Sequence, residues 1–580
     1  MQCSTMKCSS VLVAACAALA ALAAASPSQE GEERQSRVVP TSEGPVRGYR
    51  EDNGLYVFYN IPYASVPTGS NRFKAPLPPA IRYSVLDAVD RKIICPQVIN
   101  MMTTLNNNMQ EDCLVANVYI PDTNKTNLPV VVYVHGGGYQ IGYGNWQTAK
   151  TLVQSKKIIM VSFNYRLAAH GFLCLGTEGA PGNAGMKDQL ALLRWIKKNI
   201  ANFGGNPDDV TIEGTSAGSS AVDLLMLSES ALGLFNKVIP ESGANVAVWS
   251  VQIDPLENAK SFAKTLNFTN VDDLYALEEF YRTIPLEQLF TDTFIDRPDS
   301  TFGFSPCVER DTTEEAFLKE APVDILKQGK FKKFPILYGF ANMEGLIRGN
   351  VFDVWKEKMN EKFSDFLPAD LQFESEKQKE EVAKSIKKFY FGNNPVSKET
   401  MLGYVNYFSD IMFTYPHLRS VKLQVEAGSD SIYLYEYSFF DDYNERFKSS
   451  EMQNFINNDF DVLRGAYHGA QALAVFDDSV LIASNETSDK VKKMRTLMRE
   501  LWLNFMINGK PVPKESSLPE WPPVGENWSP HMSLGDKIEL RGSLLLERMR
   551  FWDAIYEKHY RKPIPPPPPP PPPPRRRNEL

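Results

Sequence analysis

The chain has 580 residues, of which 43% are hydrophobic and 23% are charged, so it can bury a large core. Its formal net charge of −8 argues against nucleic acid as a partner. After residue 25 no apolar run reaches the length of ~20 residues that a membrane-spanning helix needs.

The first 25 residues have the features of a secretory signal peptide. Lys7 precedes an apolar run over residues 11–25, and small residues follow it. The run, at about fifteen residues, is shorter than a membrane anchor of ~20 residues. We therefore predict a signal peptide over 1–25 and a mature chain that is secreted.

Cysteines and glycosylation motifs agree with an oxidising compartment. Removal of the signal takes Cys3, Cys8 and Cys16 away and leaves four cysteines. Cys95 and Cys113 lie close together in the sequence on either side of a polar loop, and we predict a disulfide between them. The Asn-x-Ser/Thr motif predicts glycosylation at four positions, Asn124, Asn267, Asn485 and Asn527.

Strand and helix patterns alternate along the chain. Continuous apolar, β-branched runs that end in turn residues predict strands buried on both faces; they cover 129–135, 158–166, 210–214, 334–341 and 431–440. A helical period is clearest over 183–203. This alternation predicts an α/β fold with a large, mostly parallel sheet and helices on both faces. The charged segment 350–430 predicts helices inserted over one end of that sheet.

The C-terminal residues differ from the rest in composition. Residues 565–574 are all proline, which favours a polyproline II helix, and RRRNEL follows. We predict one folded domain over 26–560 and a disordered tail over 561–580. The final RNEL resembles the retention signal KDEL, so the lumen of the endoplasmic reticulum is the alternative to secretion.

A candidate nucleophile follows the strand at 210–214. The chain continues Gly214-Thr215-Ser216-Ala217-Gly218 and then begins a helical pattern. The pentapeptide alone is a weak signal, because it also occurs in ordinary turns. Between a strand and a helix, however, it predicts a nucleophile elbow with Ser216 at the sharp turn.

A second glycine-rich motif, HGGG at residues 135–138, follows the strand at 129–135. Its position predicts the other half of an oxyanion hole. The N–H groups of Gly137 and Gly138 would act together with that of Ala217 on a tetrahedral oxyanion. His135 is then a structural residue of the loop.

A serine nucleophile needs a base and an acid. The chain order of this type of site is serine, acid, histidine, which leaves four histidines: His417, His468, His531 and His559. His468, in the small-residue stretch GAYHGAQ, is favoured. Glu344, in the turn after the strand at 334–341, is the favoured acid, and Glu309 is the alternative.

These motifs together resemble the type-B carboxylesterase/lipase family, the cholinesterase-like branch of the α/β-hydrolases, and most closely its insect carboxylesterases. The resemblance covers about residues 38–555 and includes EDCL at 111–114 and the block from Asp188 to Ser216. It implies an α/β-hydrolase fold and a triad of Ser216, Glu344 and His468. It also implies the same oxyanion hole, the Cys95–Cys113 disulfide, and Ser242 as a buried serine that supports the triad.

Two departures from the family pattern affect the expected site. Relatives often carry a second disulfide soon after residue 250, where this chain has no cysteine, so Cys174 and Cys307 are expected to be free. After His468, Ala470 and Gln471 replace the usual acidic pair. The contacts that support the base therefore stay open at the sequence level.

The sequence also constrains the substrate. The loop between Cys95 and Cys113 contains no aromatic residue for a quaternary ammonium group, which argues against choline esters. We expect hydrolysis of uncharged carboxylic esters, such as xenobiotic, odorant or dietary compounds, without a metal or cofactor. The alternatives are a juvenile-hormone-type esterase, for which Thr215 and Gly469 are atypical, and a binding protein that sequesters esters without turnover.

Overall fold

The computed structural model describes residues 35–98, 107–290, 297–440, 463–477 and 488–571. The predicted signal peptide, the motif at Asn485 and the terminal RNEL lie outside these residues. The described strands are β1 Ser36–Val39, β2 Val46–Arg50, β3 Leu55–Pro62, β4 Leu86–Asp87, β5 Ile93–Ile94, β6 Asn108–Met109, β7 Val115–Pro121, β8 Leu128–Val134, β9 Ile159–Phe163, β10 Gly205–Thr215, β11 Lys237–Glu241, β12 Ile336–Ala341, β13 Ile432–Tyr437, β14 His531–Leu534 and β15 Ile538–Arg541.

Helices lie between and around these strands. Those described are α1 Lys150–Gln154, α2 Ala168–Phe172, α3 Ala184–Asn199, α4 Ala217–Leu225, α5 Pro255–Thr265, α6 Leu274–Thr283, α7 Pro322–Gln328, α8 Phe352–Glu361, α9 Glu376–Phe391, α10 Met401–Ser409, α11 Tyr415–Glu426, α12 Ala470–Val475, α13 Asp489–Asn508 and α14 Leu546–His559. Within the described ranges, no helix is both long and apolar enough to cross a bilayer.

One large mixed sheet organises the fold. Its strand order is β1-β2-β3-β7-β9-β8-β10-β11-β12-β13-β14-β15, and β4 pairs with β2. The central strands from β9 to β14 are mutually parallel, and antiparallel pairs lie toward both edges. The expected α/β-hydrolase fold with a mostly parallel sheet is confirmed.

Both faces of the sheet are buried, as continuous apolar runs predict. Along β8, Val130, Val132 and Val134 belong to one hydrophobic cluster. Val131 and Tyr133, which alternate with them, belong to a second cluster on the opposite face. Because β8, β10, β11 and β12 are parallel, their carboxyl ends lie at one edge of the sheet. The loops after β8, β10 and β12 meet at that edge.

The helical insertion packs directly on the turn after β12. A 3₁₀ helix over Glu344–Val351 leads into α8, and α10 contacts it closely. A Cβ atom on Gly345 would lie 2.1 Å from the carbonyl oxygen of Val405. Only glycine permits this approach, which fixes the start of the turn that carries Glu344.

Two disulfides are present. Cys95 pairs with Cys113, as the sequence predicts. Cys174 pairs with Cys307, so the expectation that these two residues are free is wrong. Gly182 makes room for the second bond, since a Cβ there would lie 2.6 Å from the Sγ of Cys307. The Asn183 side chain also hydrogen-bonds both the N–H and the carbonyl of Cys307, at 2.8 Å each.

The described part of the C-terminal tail, residues 561–571, differs from the predicted disordered tail. Pro563 and Pro566 are buried, and Pro569 is partly buried. This spacing of three is the period of a polyproline II helix, which presents every third ring on one face. The Tyr275 hydroxyl donates to the carbonyl of Pro570 at 2.7 Å. One face of the proline run therefore lies against the domain.

Candidate active site

Ser216 occupies a strained turn between β10 and α4. Its backbone has φ 61° and ψ −124°, a conformation that costs a non-glycine residue on the order of 1–3 kcal/mol. The Ser216 N–H donates to the Glu241 carbonyl at 2.9 Å, and the Ser216 carbonyl accepts from the Ser220 N–H at 3.0 Å. These bonds hold the turn in place.

Glycines around Ser216 are required by close backbone contacts. A Cβ on Gly214 would lie 2.3 Å from the carbonyl oxygen of Gly218, and one on Gly218 would lie 2.0 Å from that of Val134. A Cβ on Gly243 would lie 2.3 Å from the carbonyl oxygen of Ser216. The G-x-S-x-G spacing thus follows from the tightness of the turn.

The HGGG loop lies directly beside the serine. A Cβ on Gly136 would lie 3.1 Å from the Cβ of Ser216. Gly137 and Gly138 have φ values of 104° and 63°. Among the described residues, no acceptor takes a hydrogen bond from the N–H of Gly137, Gly138 or Ala217. Three unpaired donors therefore belong to the two loops that meet at Ser216.

His135 supports this loop from inside the fold. Its buried ring stacks on Tyr165 with the centroids 4.3 Å apart, and its Nδ1 lies 2.9 Å from the carbonyl oxygen of Gly136. Burial lowers the pKa of His135 to about 4, so the ring is neutral at physiological pH. The structural role expected for His135 agrees with this environment.

A buried carboxylate holds a second histidine. The Oε2 of Glu344 lies 2.5 Å from the Nδ1 of His468. Its Oε1 accepts from the Ala341 N–H at 2.8 Å and from the Ser242 hydroxyl. Both carboxylate oxygens thus have hydrogen-bond donors, and the contact to Nδ1 orients the imidazole so that Nε2 faces away.

Two hydrogen bonds to the backbone of Ala466 hold the loop that carries His468 against the turn that carries Glu344. The Met343 N–H donates to the Ala466 carbonyl at 2.9 Å. The Asn342 Oδ1 accepts from the Ala466 N–H at 2.8 Å. Gly469 lies next to the end of β10, because a Cβ at this position would be 4.0 Å from the Cγ2 of Thr215.

The Ser216 hydroxyl makes no hydrogen bond to any of the described residues, His468 included. Hydrogen bonds of this kind are often long before substrate binds and tighten in the complex. The structure thus brings Glu344 and His468 into direct contact, and it brings Ser216 to the same edge of the sheet through Thr215.

Gln471 answers the question left open by the missing acidic pair. Its side-chain amide donates to the Oγ of Ser242 at 2.5 Å, and Ser242 in turn donates to Glu344. The sequence showed that the usual acidic pair is missing, but it did not show which hydrogen bond Gln471 makes. The contact depends on how α12 packs beside Ser242, the residue that directly follows β11.

Aromatic side chains form a wall beside the imidazole. The Phe413 ring lies 4.4 Å from the His468 ring, centroid to centroid, and contacts Trp249, which contacts Phe302. Phe413 belongs to a π-helical turn over Asp410–Thr414, and the Trp249 indole N–H donates to the Met412 carbonyl there at 2.7 Å. All three rings are buried, so the side of the imidazole that Phe413 covers is apolar and uncharged.

The alternative base and acid residues have other surroundings. Within the described part of the chain, His468 is the one histidine within ion-pair distance of a carboxylate. His531 contacts the Gly542 carbonyl, and His417 packs edge-on against Tyr338. Glu309 pairs with Lys187 at 2.8 Å. No group of three or more potential metal ligands occurs in the described part of the chain.

The predicted glycosylation positions that are described lie at the surface. Asn124, Asn267 and Asn527 are all exposed. Asn267 and Asn527 also have positive φ values of 63° and 53°, which is typical of turns. Their side chains are therefore accessible to modification.

Comparison with known proteins gives a consistent result. A model of the carboxylesterase family matches residues 35–552. The chain is 31% identical over 542 residues to a carboxylic ester hydrolase of Bombus ignitus, covering 90% of this chain and 94% of that protein. It is 28% identical to the juvenile hormone esterase of Tribolium castaneum, covering 89% of this chain and 93% of that protein.

A solved structure extends the similarity to three dimensions. The crystal structure of juvenile hormone esterase from Manduca sexta, with OTFP covalently attached, superposes with a TM-score of 0.78 at 28% identity. The match covers 90% of this chain and all of that one, at 100%.

Proposed function

This chain belongs to the carboxylesterase family and is a carboxylic ester hydrolase, and from that premise we propose that Ser216 is its nucleophile and that catalysis proceeds through an acyl-enzyme. The observation that carries the proposal is that Ser216 occupies a strained turn whose neighbour, Thr215, lies 4.0 Å from the position of a Cβ on Gly469, the residue after the histidine of the Glu344–His468 pair. We assign the reaction to a single catalytic domain over residues 26–560.

In the first half of the reaction, the Ser216 Oγ attacks the ester carbonyl while the Nε2 of His468 takes its proton. Glu344 holds the Nδ1 proton and stabilises the imidazolium. The N–H groups of Gly137, Gly138 and Ala217 donate to the oxyanion, and one such donor is typically worth about 3 kcal/mol in the transition state. The imidazolium then protonates the leaving alcohol, and the acyl group stays on Ser216.

In the second half, water replaces the alcohol. His468 takes a proton from water as the oxygen attacks the acyl carbonyl, and the same donors hold the second oxyanion. Collapse returns the proton to Ser216 and releases the carboxylic acid. Ser242 and Gln471 act only through Glu344, by holding its Oε1 and leaving Oε2 for the histidine.

We further propose that the substrates are uncharged esters, including xenobiotic, odorant or dietary compounds. The aromatic wall of Trp249, Phe302 and Phe413 next to His468 supports this assignment. A juvenile-hormone-type esterase is the second candidate, favoured by the structural similarity to the enzyme from Manduca sexta. Rates on a panel of p-nitrophenyl esters and on a long-chain methyl ester would separate the two.

The test of the nucleophile is Ser216→Ala, assayed by stopped flow with p-nitrophenyl butyrate and by intact mass after reaction with an organophosphate. We expect loss of both the burst and the mass adduct. Ser220→Ala is the matched control, since its Oγ lies one helical turn away and accepts from Tyr139. Turnover or labelling that survives in Ser216→Ala contradicts the proposal, and a wild-type burst without a steady state favours ester sequestration.

We also propose that the protein is secreted after removal of residues 1–25 and glycosylation at Asn124, Asn267, Asn485 and Asn527. The two disulfides support an oxidising compartment. Sequencing the mature N-terminus and digesting with an endoglycosidase test the first two points. Deletion of the last four residues tests retention, because retained protein would then move into the medium.

A further inference from the structure

Two glutamates lie side by side in a buried polar layer beneath Ser216. In the parallel register of β10 and β11, Thr215 pairs with Glu241, and Glu213 lies two residues before Thr215 on the same face. Ile212 and Gly214, which alternate with them, face the other way, and Ile212 belongs to the opposite cluster. The carboxyl groups of Glu213 and Glu241 are thus diagonal neighbours across two central strands.

Neither carboxyl group pairs with a positive charge within the described ranges. Both glutamates are fully buried, at 0% exposure. Glu241 Oε1 accepts from the Tyr435 hydroxyl at 3.0 Å and Oε2 faces the Thr215 hydroxyl at 3.5 Å. Among the described residues, no hydrogen bond of normal geometry reaches either oxygen of Glu213, although the nearby Trp502 indole N–H favours the ionised form. No described lysine, arginine or histidine pairs with Glu213 or Glu241.

The groups that surround the pair come from every element packed on it. They are Tyr133 from β8, Thr215 from β10, Tyr435 from β13, Trp502 from α13 and Glu344 from the turn after β12. None of these carries a positive charge. Burial raises the pKa of both glutamates, and a neighbouring carboxylate raises each further, Glu241 in the case of Glu213 and Glu344 in the case of Glu241. The pKa of Glu241 is about 8, so this carboxyl group is mostly protonated at neutral pH.

Residue 241 also connects the nucleophile to the acid. The Glu241 carbonyl accepts the Ser216 N–H at 2.9 Å. The next residue, Ser242, donates its hydroxyl to Glu344. A change in the position or charge of Glu241 therefore acts on the turn that presents Ser216 and on the carboxylate that orients His468.

We infer that Glu241 is a positioning residue, kept neutral by its burial away from any described cation, and that its ionisation sets the alkaline limit of the esterase activity. The inference rests on the proposed roles of Ser216, Glu344 and His468. Once ionised, a carboxylate in this layer draws the Thr215 and Tyr435 hydroxyls toward itself and places a second negative charge near Glu344. Both changes shift groups that the reaction needs in fixed positions.

The test compares pH profiles of kcat and kcat/KM between pH 6 and pH 10 for the wild type, Glu241→Gln and Glu213→Gln. A glutamine has the shape of the neutral acid and cannot ionise. We expect each variant to keep at least half of the wild-type activity near pH 7. We also expect the alkaline decline to move upward by at least one pH unit in Glu241→Gln, because the group that ionises is gone. In Glu213→Gln the decline should not move upward, because Glu241 is still present.

Asp370→Asn is the matched control. Asp370 is another buried acid whose pKa is raised by burial, but it accepts from Tyr556 near the C-terminus. Its alkaline limb should superimpose on that of the wild type. Titration with an organophosphate at each pH gives the concentration of reactive enzyme, so that unfolding is not counted as loss of rate.

Superimposable profiles of the wild type and Glu241→Gln would overturn the inference, as would a more than hundredfold loss of kcat at pH 7. Should Glu241→Gln fail to fold, Glu213→Gln still tests the inference, because an upward shift of its alkaline decline would show that Glu241 does not set the limit. The proposed function is tested separately, because Ser216→Ala would remain active if the nucleophile were misassigned. An inactive Ser216→Ala together with an unshifted Glu241→Gln would reject only the positioning role.

Discussion

The amide of Gln471 donates a 2.5 Å hydrogen bond to the Oγ of Ser242. Because the Ser242 oxygen accepts from this amide, the single proton of the hydroxyl is left to donate to Glu344. Two successive hydrogen bonds thus connect α12, through Ser242, to the carboxylate that orients His468. A neutral donor at position 471 therefore supports the acid without adding charge.

Replacing Gln471 by glutamate should shift the acidic limb of kcat/KM. The new carboxylate cannot donate to Ser242 when ionised, and it adds a negative charge near the imidazole. A nearby negative charge raises the pKa of a histidine, so we expect the acidic limb to move to higher pH by roughly half a unit or more. The measurement is the pH dependence of kcat/KM between pH 5 and pH 8.

Ser242→Ala is the control for that shift. It removes the Ser242 hydrogen bond to Glu344 without adding a charge, so the rate should fall by about tenfold, as expected for a hydrogen bond to a charged group worth ~1.5 kcal/mol. The acidic limb should not move upward. Equal shifts in Gln471→Glu and Ser242→Ala would contradict the electrostatic explanation.

Gly137→Ala should abolish most of the activity while substrate binding stays nearly intact. The added Cβ would lie 2.0 Å from the Ile141 carbonyl oxygen at a φ of +104°, so the loop must move and its N–H groups with it. Loss of one oxyanion donor costs about 10²–10³ in kcat. Steady-state kinetics should therefore show a fall in kcat with a small change in KM.

Gly233→Ala separates that effect from backbone strain. Gly233 also has a positive φ of +81°, but nothing lies within 4 Å of an added Cβ. We expect a small loss of thermal stability and an unchanged kcat. A similar loss of kcat in both variants would mean that strain, and not the oxyanion loop, explains the result.

Local patterns predicted the parts of the fold that depend on neighbours in sequence. Apolar, β-branched runs predicted the central strands β8, β10 and β12, because the residues in these runs are buried on both faces of the sheet. The spacing around Ser216 predicted the turn, since backbone contacts forbid a Cβ at Gly214 and Gly218. These features need no knowledge of the tertiary structure.

Contacts between distant segments could not be predicted in the same way. Cys174 and Cys307 are 133 residues apart, and only the sheet topology brings them together. The alternation of side chains along β10 predicts that Glu213 and Ile212 lie on opposite faces of the sheet. It does not show whether a lysine, arginine or histidine packs beside Glu213. The contact of Gln471 with Ser242 depends likewise on how α12 packs.

Removing the Cys174–Cys307 disulfide should destabilise the protein. The double variant Cys174→Ala, Cys307→Ala opens a loop spanning 133 residues, and loss of a native disulfide typically costs 2–5 kcal/mol. We expect a lower midpoint in urea unfolding and thermal denaturation, with kcat per active site nearly unchanged. Peptide mapping of the unreduced wild type should recover the two cysteines in one linked fragment.

Protonation of buried histidine should make the protein less stable in acid. Burial, with Arg166 and Arg72 nearby, holds the pKa of His170 well below its usual value. The unfolded chain takes up a proton as the pH falls below ~6.5, whereas the folded chain does not. Stability from this residue is thus present above ~6.5 and is lost toward pH 5, by about 2 kcal/mol.

His170→Phe should flatten this dependence. Any packing cost of the new ring is independent of pH, so the change in unfolding free energy between pH 7 and pH 5 is the quantity to compare. His559→Phe is the control, because His559 is partly exposed and packs beside Phe373. An unchanged slope in His170→Phe would show that other groups cause the acid sensitivity.

Truncation of the proline run should separate a docked segment from a free tail. Deleting 565–580 removes Pro566, which packs near Gly176 and Arg310, and the carbonyl that accepts from Tyr275. Because a polyproline II helix loses little conformational entropy on docking, even about 1 kcal/mol of burial should stabilise the fold. We expect thermal denaturation of this variant about 1–2 °C below the wild type. Deleting only 572–580 keeps these contacts and should leave the midpoint of thermal denaturation unchanged. Equal midpoints for both truncations and the wild type would show that the docked face of the proline run adds no stability.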